Sequence, residues 1–418
     1  MTESKCSFCQ KPRSQTGPQI QTPDGLFRIC GSCMTLGLSS ISKVQSKENV
    51  PEVPLKVPQE IKDFLDEYVI GQDNAKKALA VAVYDHFIRI NNPPAPGEIE
   101  LEKSNVLMLG PTGCGKTLLA RTIARMLNVP FTIADANRLT QAGYVGDDVE
   151  DILTPLVAEC GGDPAKIERS IVFIDEIDKL ASAVATENVR VDVGGRGVQQ
   201  ALLKLLEGAK VRVPLPGKRR MYSPSGEVAT DVEIDTSNIL FIVGGAFPAL
   251  PKIIEKRVNK KASVGFGSAS KIESKIKDDS SLFSMVETED LKKFGLIPEF
   301  LGRIPAVVTL RELDEDQLVR VLTEPKNALL AQKVREFEIA CDTQLVFEPN
   351  AIRAIAQKAI KQGRGARGLR TIVDPLLQDL KFDLPSRRGD VARVTITEAC
   401  VNGEGEPVLE MAKVSARA

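Results

Sequence analysis

Eight residues, Gly110-Pro111-Thr112-Gly113-Cys114-Gly115-Lys116-Thr117, read G-x-x-x-x-G-K-T, and the chemistry of that pattern is phosphate binding. Its glycines let successive backbone N–H groups curl around phosphate oxygens at a helix N-terminus. Lys116 would reach the β- and γ-phosphates, and the Thr117 hydroxyl would hold Mg²⁺. Leu118, next along, completes the expected run of nucleotide contacts. Further on, Ile171-Val172-Phe173-Ile174 runs into Asp175-Glu176. In such a site the first acid orders Mg²⁺ and its waters, and the second polarises an attacking water. Asp175 is therefore read as a metal ligand and Glu176 as the catalytic base. An acidic pair after a strand says little alone. Downstream of a phosphate loop, it points to hydrolysis of a nucleoside triphosphate as well as binding.

A second constellation is Cys6-x-x-Cys9 followed, after twenty residues, by Cys30-x-x-Cys33. Each pair offers two thiolates to one ion, and two pairs complete a tetrahedral structural Zn²⁺ site. A redox pair would need only one such turn. Cys114, Cys160, Cys341 and Cys400 stand singly and are read as core or surface thiols, not a disulfide framework.

Stepping outward, the phosphate loop is flanked as its chemistry requires. Val106–Leu109 reads as a strand buried on both faces, and Leu119, Ile123 and Leu127 fall on one face of a following helix. Further strands are expected at Phe131–Ala134, Ile171–Ile174, Ile239–Val243 and Ala306–Leu310. Helical patterns between them predict an α/β fold: a parallel sheet with helices on both faces. Asp314–Glu336 and Ala351–Lys361 read as helices and Val391–Thr397 as a strand, predicting a smaller, mostly helical domain. The expected divisions are a zinc module over 1–50 and a linker over 51–62, where prolines punctuate Val50–Pro58. A large ATPase domain follows over 63–313, with an insertion at 248–290, and a small domain over 314–418.

Composition narrows the function. In 418 residues the formal net charge is -1, which argues against a chain whose main task is coating nucleic acid. No run of 18 apolar residues would span a membrane and no signal peptide opens the sequence, so the expected location is cytoplasmic. The single histidine, His86, falls in an amphipathic helix pattern over Ala75–Ile90, so no Ser-His-Asp or Cys-His hydrolase centre is expected.

Two segments stand outside this frame. Gly143-Tyr144-Val145-Gly146 places an aromatic between glycines: either a mobile loop or an ordinary turn whose Tyr covers the core. The 248–290 stretch carries one apolar patch, Val264-Gly265-Phe266, read as an exposed docking tip, with a disordered insertion as the alternative.

These parts, taken in order, resemble the ClpX family of AAA+ unfoldases over essentially the whole chain. The resemblance rests on the four-cysteine module, Gly110–Thr117, Gly143–Gly146, Ile174-Asp175-Glu176 and Val264-Gly265-Phe266. It extends to Pro298-Glu299-Phe300-Leu301-Gly302-Arg303 and Gly365-Ala366-Arg367-Gly368-Leu369-Arg370. It implies a homohexameric ring binding ATP, Mg²⁺ and Zn²⁺, with adaptor proteins, substrates bearing exposed degradation tags and a ClpP-type peptidase as partners. Tyr144 and Val145 would line the pore and grip polypeptide. Arg303 would be an arginine finger on a neighbour's γ-phosphate, Arg367 a second sensor, and Val69, Ile70, Gly71 and Gln72 the segment around adenine. Val264, Gly265 and Phe266 would dock the peptidase, and the zinc module would dimerise and recruit substrates.

The chain departs from the family pattern in four places. Val264 stands where Ile is usual. Lys218-Arg219-Arg220 replaces an Arg-Lys-His trio at the pore entrance, which loosens any inference about tag preference. The cysteine pairs are slightly further apart than expected. Gly244-Gly245 stands where AAA+ proteins in general carry a polar first sensor, although this matches ClpX. The rival readings are a standalone chaperone without a peptidase and a nucleic-acid remodeller whose zinc module reads DNA.

Overall fold

The computed structural model describes residues 5–23, 25–37, 55–140, 148–181, 193–215, 231–263 and 282–412, in two compact units spanning 1–52 and 53–418. In the first, β1 (Gln19–Gln21) pairs antiparallel with β2 (Arg28–Cys30), and residues 31–37 are helical. Cys6 and Cys9 bracket a turn closed by the Gln10 N–H on the Cys6 carbonyl at 2.9 Å. Phe8, Leu26, Phe27 and Leu36 are all exposed, so the described residues of this unit build little apolar core of their own. Its cohesion falls to the four thiols.

The second unit is organised around β3 (Val106–Leu109), β4 (Phe131–Asp135), β5 (Ile171–Asp175), β8 (Leu240–Gly245) and β9 (Ala306–Thr309). They form one parallel sheet in the order β4-β5-β8-β3-β9. All five expected strands are present, shifted by a residue or two at their ends. Val106, Met108, Ile171, Phe173, Leu240 and Ile242 enter one buried cluster. Leu107, Leu109, Val172, Ile174, Phe241 and Val243 enter the other. Alternate residues thus bury alternate faces, and the strands read as unbroken apolar runs. The helix Lys116–Leu127 buries Leu119, Ile123 and Leu127. Asp73–Asn91 covers the expected Ala75–Ile90 helix and buries Leu79, Val83, Phe87 and His86.

Several boundaries differ from the sequence expectation. The linker read as 51–62 ends earlier, because Pro58 opens a helix, Pro58–Asp66, that buries Ile61 and Leu65. Proline suits this first helical position, where its missing N–H costs nothing. The stretch 248–290 is part of the fold at both ends: Leu250–Ser263 is helical, and Leu250, Ile254, Leu282 and Phe283 join the core. Arg257 ties the two ends by donating to both oxygens of Asp290 at 2.9 and 3.0 Å. A hairpin of β6 (Lys210–Pro214) and β7 (Asp231–Asp235) escaped the sequence reading.

The small domain has its own core, including Leu318, Leu322, Phe337, Ile355, Leu369, Val373 and Val394. The helix expected over Asp314–Glu336 is two helices, Glu315–Thr323 and Leu329–Cys341, parted by Pro325, whose missing N–H and ring disfavour a helix interior. Besides the expected strand, β11 (Val391–Ile396), the domain contains β10 (Gln344–Phe347) and β12 (Val408–Met411), in the order β10-β11-β12.

Candidate functional site

In the cysteine module the four sulfurs lie within 4.8 Å of one another, with those of Cys9 and Cys30 at 3.8 Å. Zinc–sulfur bonds of about 2.3 Å at tetrahedral angles space sulfurs by about 3.8 Å. The Cys9 backbone N–H, aided by those of Cys30 and Phe8, holds the Cys6 thiol down to about 6 against its burial. Burial and the neighbouring thiols push Cys33 up to about 12. Four thiolates this close need a cation between them, and an all-sulfur set suits Zn²⁺.

In the second unit the phosphate loop joins the C-terminal end of β3 to the helix Lys116–Leu127. The Lys116 ammonium folds onto its own loop, donating to the Gly110 and Pro111 carbonyls at 2.5 and 2.9 Å. This places it beside the cradle that phosphates would fill. Thr117 Oγ1 donates to Asp175 Oδ2 at 3.3 Å, so the hydroxyl and the carboxylate expected to share Mg²⁺ already meet across adjacent elements. Both are hard oxygen donors, which fits that ion. Burial pushes the Cys114 thiol up, in keeping with a filler position.

Glu176 caps β5 with φ 60° and ψ 30°, left-handed backbone that a residue with a Cβ adopts only when held. The Asp175 carboxylate accepts the Glu176 N–H at 2.9 Å. Asn137 Nδ2 donates to Glu176 Oε2, and Asp135 Oδ1 accepts from Asn137 N and Nδ2 at 2.9 and 3.0 Å. Parallel register sets Asp135 opposite Asp175, so Asn137 follows β4 beside the residue that follows β5. Sequence reasoning missed Asn137, because nothing local links it to Glu176.

A cleft of about 370 Å³ gathers Lys116, Thr117, Asp175, Glu176 and Arg367. Arg367 arrives from the small domain, its Nη2 3.9 Å from Asp175 Oδ2 and its side chain largely exposed. Asp178 and Lys179 also line this cleft and were likewise missed. Asp178 Oδ1 accepts the Ala246 N–H at 3.1 Å. It occupies the space that a side chain at Gly245 would need, 2.7 Å from where that Cβ would lie. The glycine pair at the end of β8 therefore leaves room for the Phe173 and Phe247 rings and, beside Gly245, for the Asp178 carboxylate from the turn that follows β5.

Val69, Ile70 and Gly71 line a separate cleft of about 410 Å³ with Asp66, Lys76 and Lys326. Val69 reaches the phosphate loop, its Cγ1 3.9 Å from where a Cβ at Gly115 would lie. Gln72 is a clamp: it donates to the carbonyls of Arg311 at 2.7 Å and Cys114 at 3.4 Å, and it accepts the Arg311 N–H at 2.9 Å.

Arg303 is not brought to this cleft. Asn105, immediately before β3, donates to the Arg303 carbonyl at 2.8 Å, whereas the phosphate loop leaves β3 at its other end. Four strand residues span about 13 Å. Among the described residues, the Arg303 side chain is paired with Glu207 at 2.8 Å. Tyr144 and Val145, the trio Lys218, Arg219 and Arg220 between β6 and β7, and Val264, Gly265 and Phe266 lie outside the described residues. Among the described residues, no helix is long and apolar enough to cross a membrane.

Comparison with known proteins places both regions in named families. Residues 4–42 match the ClpX C4-type zinc finger family and residues 101–307 the AAA domain (Cdc48 subfamily). The chain is 46% identical over 407 residues to the "ATP-dependent Clp protease ATP-binding subunit ClpX" of Treponema denticola, an alignment covering 97% of this chain and 96% of that protein. At that identity and coverage, the chain belongs to the ClpX family: an AAA ATPase behind a zinc-binding C4 module.

Proposed function

We propose that the chain is the motor and specificity subunit of an ATP-dependent protease, unfolding protein substrates and feeding them to a ClpP-type serine peptidase in the cytoplasm. The observation that carries this reading is the position of Arg303, a strand's length from its own phosphate loop. A finger there serves a neighbour's nucleotide, so hydrolysis needs an assembly of subunits, which we take to be a homohexamer. Lys116 binds the β- and γ-phosphates, and Thr117 and Asp175, which meet at 3.3 Å, would hold Mg²⁺, whose charge would offset that of the phosphates when bound. Glu176, oriented by Asn137, takes the proton of the attacking water. Arg367 carries the state of the nucleotide to the small domain, whose movement drives Tyr144 and Val145 against a polypeptide in the pore.

On this reading Lys218, Arg219 and Arg220 flank the pore entrance and Val264, Gly265 and Phe266 dock the peptidase. The zinc module dimerises and receives tagged substrates and adaptors. Glu176→Gln is expected to retain ATP binding and lose turnover. Tyr144→Ala is expected to hydrolyse ATP but fail to unfold a tagged stable protein. Retained turnover in the first, or DNA-stimulated and salt-sensitive hydrolysis by the unaltered protein, would overturn the assignment.

A further inference from the structure

The geometry points to Glu207 as the positioning residue of the arginine finger. It takes one donor of the Arg303 guanidinium and leaves the rest for a neighbouring copy's nucleotide; this rests on the finger reading of Arg303 above. Arg303 Nε donates to Glu207 Oε1 at 2.8 Å, and both side chains are about half exposed, 55% and 44%. An arginine has five N–H donors, and a carboxylate commonly takes two of them side by side. Here the bond runs through Nε, which leaves the terminal Nη groups to grip phosphate oxygens. The carboxylate restrains the planar head without occupying its phosphate-binding fork.

The stems of this pair are held more firmly than the pair itself. Asn105, 1% exposed, donates through Nδ2 to both the Leu206 and the Arg303 carbonyls, at 3.1 and 2.8 Å. One buried amide thus fixes the end of the helix Val193–Glu207 beside the end of the helix Pro298–Gly302. Leu202, Leu205 and Leu206 anchor the first helix in the core, and Phe300 and Leu301 anchor the second. Two exposed charges on such fixed stems add little to folding. Restraining a long side chain at the place where it must meet a neighbour acts on catalysis instead, because small misplacements there are costly.

The test is steady-state ATP hydrolysis by the full-length assembled protein, with thermal midpoint and particle mass confirming fold and assembly. Glu207→Ala is expected to lower kcat about three- to tenfold while the KM for ATP stays within about twofold, since the variant's own cleft is intact. Glu207→Gln should restore most of the loss, because an amide oxygen still accepts from Nε. In an Arg303→Ala background, Glu207→Ala should add nothing. Glu207→Met keeps chain length without an acceptor and carries the test if the alanine variant does not assemble; it must show the same loss. Wild-type kcat in Glu207→Ala or Glu207→Met, or losses that multiply with Arg303→Ala, would overturn the proposal. Wild-type turnover in Arg303→Ala alone would instead sink the finger reading beneath it.

Discussion

Gly365→Ala tests how the small domain is locked to the phosphate loop. Gly365 sits at φ 54° and ψ -145°, a region that costs a residue with a Cβ about 1–3 kcal/mol. Its added Cβ would lie 3.1 Å from the Thr112 carbonyl oxygen and 3.3 Å from the Gly113 carbonyl atoms. Opposite it, a Cβ on Gly113 would stand 2.5 Å from the Arg364 carbonyl oxygen, and the Gly113 carbonyl accepts the Ala366 N–H at 3.2 Å. The loop that binds phosphate and the loop that carries Arg367 thus meet backbone to backbone. In the variant this closed arrangement rises by about 1–3 kcal/mol, whereas a form with the small domain rotated away relaxes. The ratio of closed to open forms falls about 5- to 150-fold, and apparent ATP affinity falls by up to the same factor where nucleotide binds the closed form. Calorimetric titration of the full-length protein with ATP reads this directly. Gly389→Ala is the control: its φ is also positive, at 87°, but nothing lies within 4 Å of the new Cβ. It should lower the melting temperature slightly and leave affinity alone. Wild-type affinity in Gly365→Ala, or an equal loss in Gly389→Ala, would refute the interlock.

Asn137→Ala removes the donor to one carboxylate oxygen of Glu176. Basal ATP turnover without protein substrate should fall with KM unchanged, because the base is no longer aimed; an unchanged or raised kcat would show that Asn137 does not orient Glu176 for the reaction. Burial, with Arg89 and Lys103 nearby, pulls buried His86 from 6.5 down to about 3. The unfolded chain therefore binds a proton between those values that the folded one refuses. Stability from this group is full above about pH 6.5 and is lost towards pH 3, by at most about 1.4 kcal/mol per pH unit. Melting temperatures of His86→Gln and the unaltered protein at pH 7 and 5 should show a shallower acid slope in the variant. Cys9→Ser should release zinc from the module, measured by metal analysis, while ATP hydrolysis by the separate compact unit over 53–418 stays within about twofold; equal loss of both would refute that independence.

Much was legible in the sequence because its cause is local. Val106–Leu109 had to be a doubly buried strand, Gly110–Thr117 a glycine-rich turn leading into the helix at Lys116, and the two C-x-x-C turns a four-sulfur cluster, since periodicity and spacing alone enforce them. The break at Pro325 was written there too and was overread. Short strands such as Gln344–Phe347 and Val408–Met411 lack a pattern strong enough to stand out. What no local rule could supply was the company each residue keeps. Sheet order and register put Asn137 against Glu176 and Asp178 against the end of β8. Two glycines more than 240 positions apart let the small domain's backbone touch the phosphate loop. A single buried amide, Asn105, fixes Arg303 beside Glu207 at the far end of β3. Those pairings join residues distant in sequence, and only the closing of the sheet decides them.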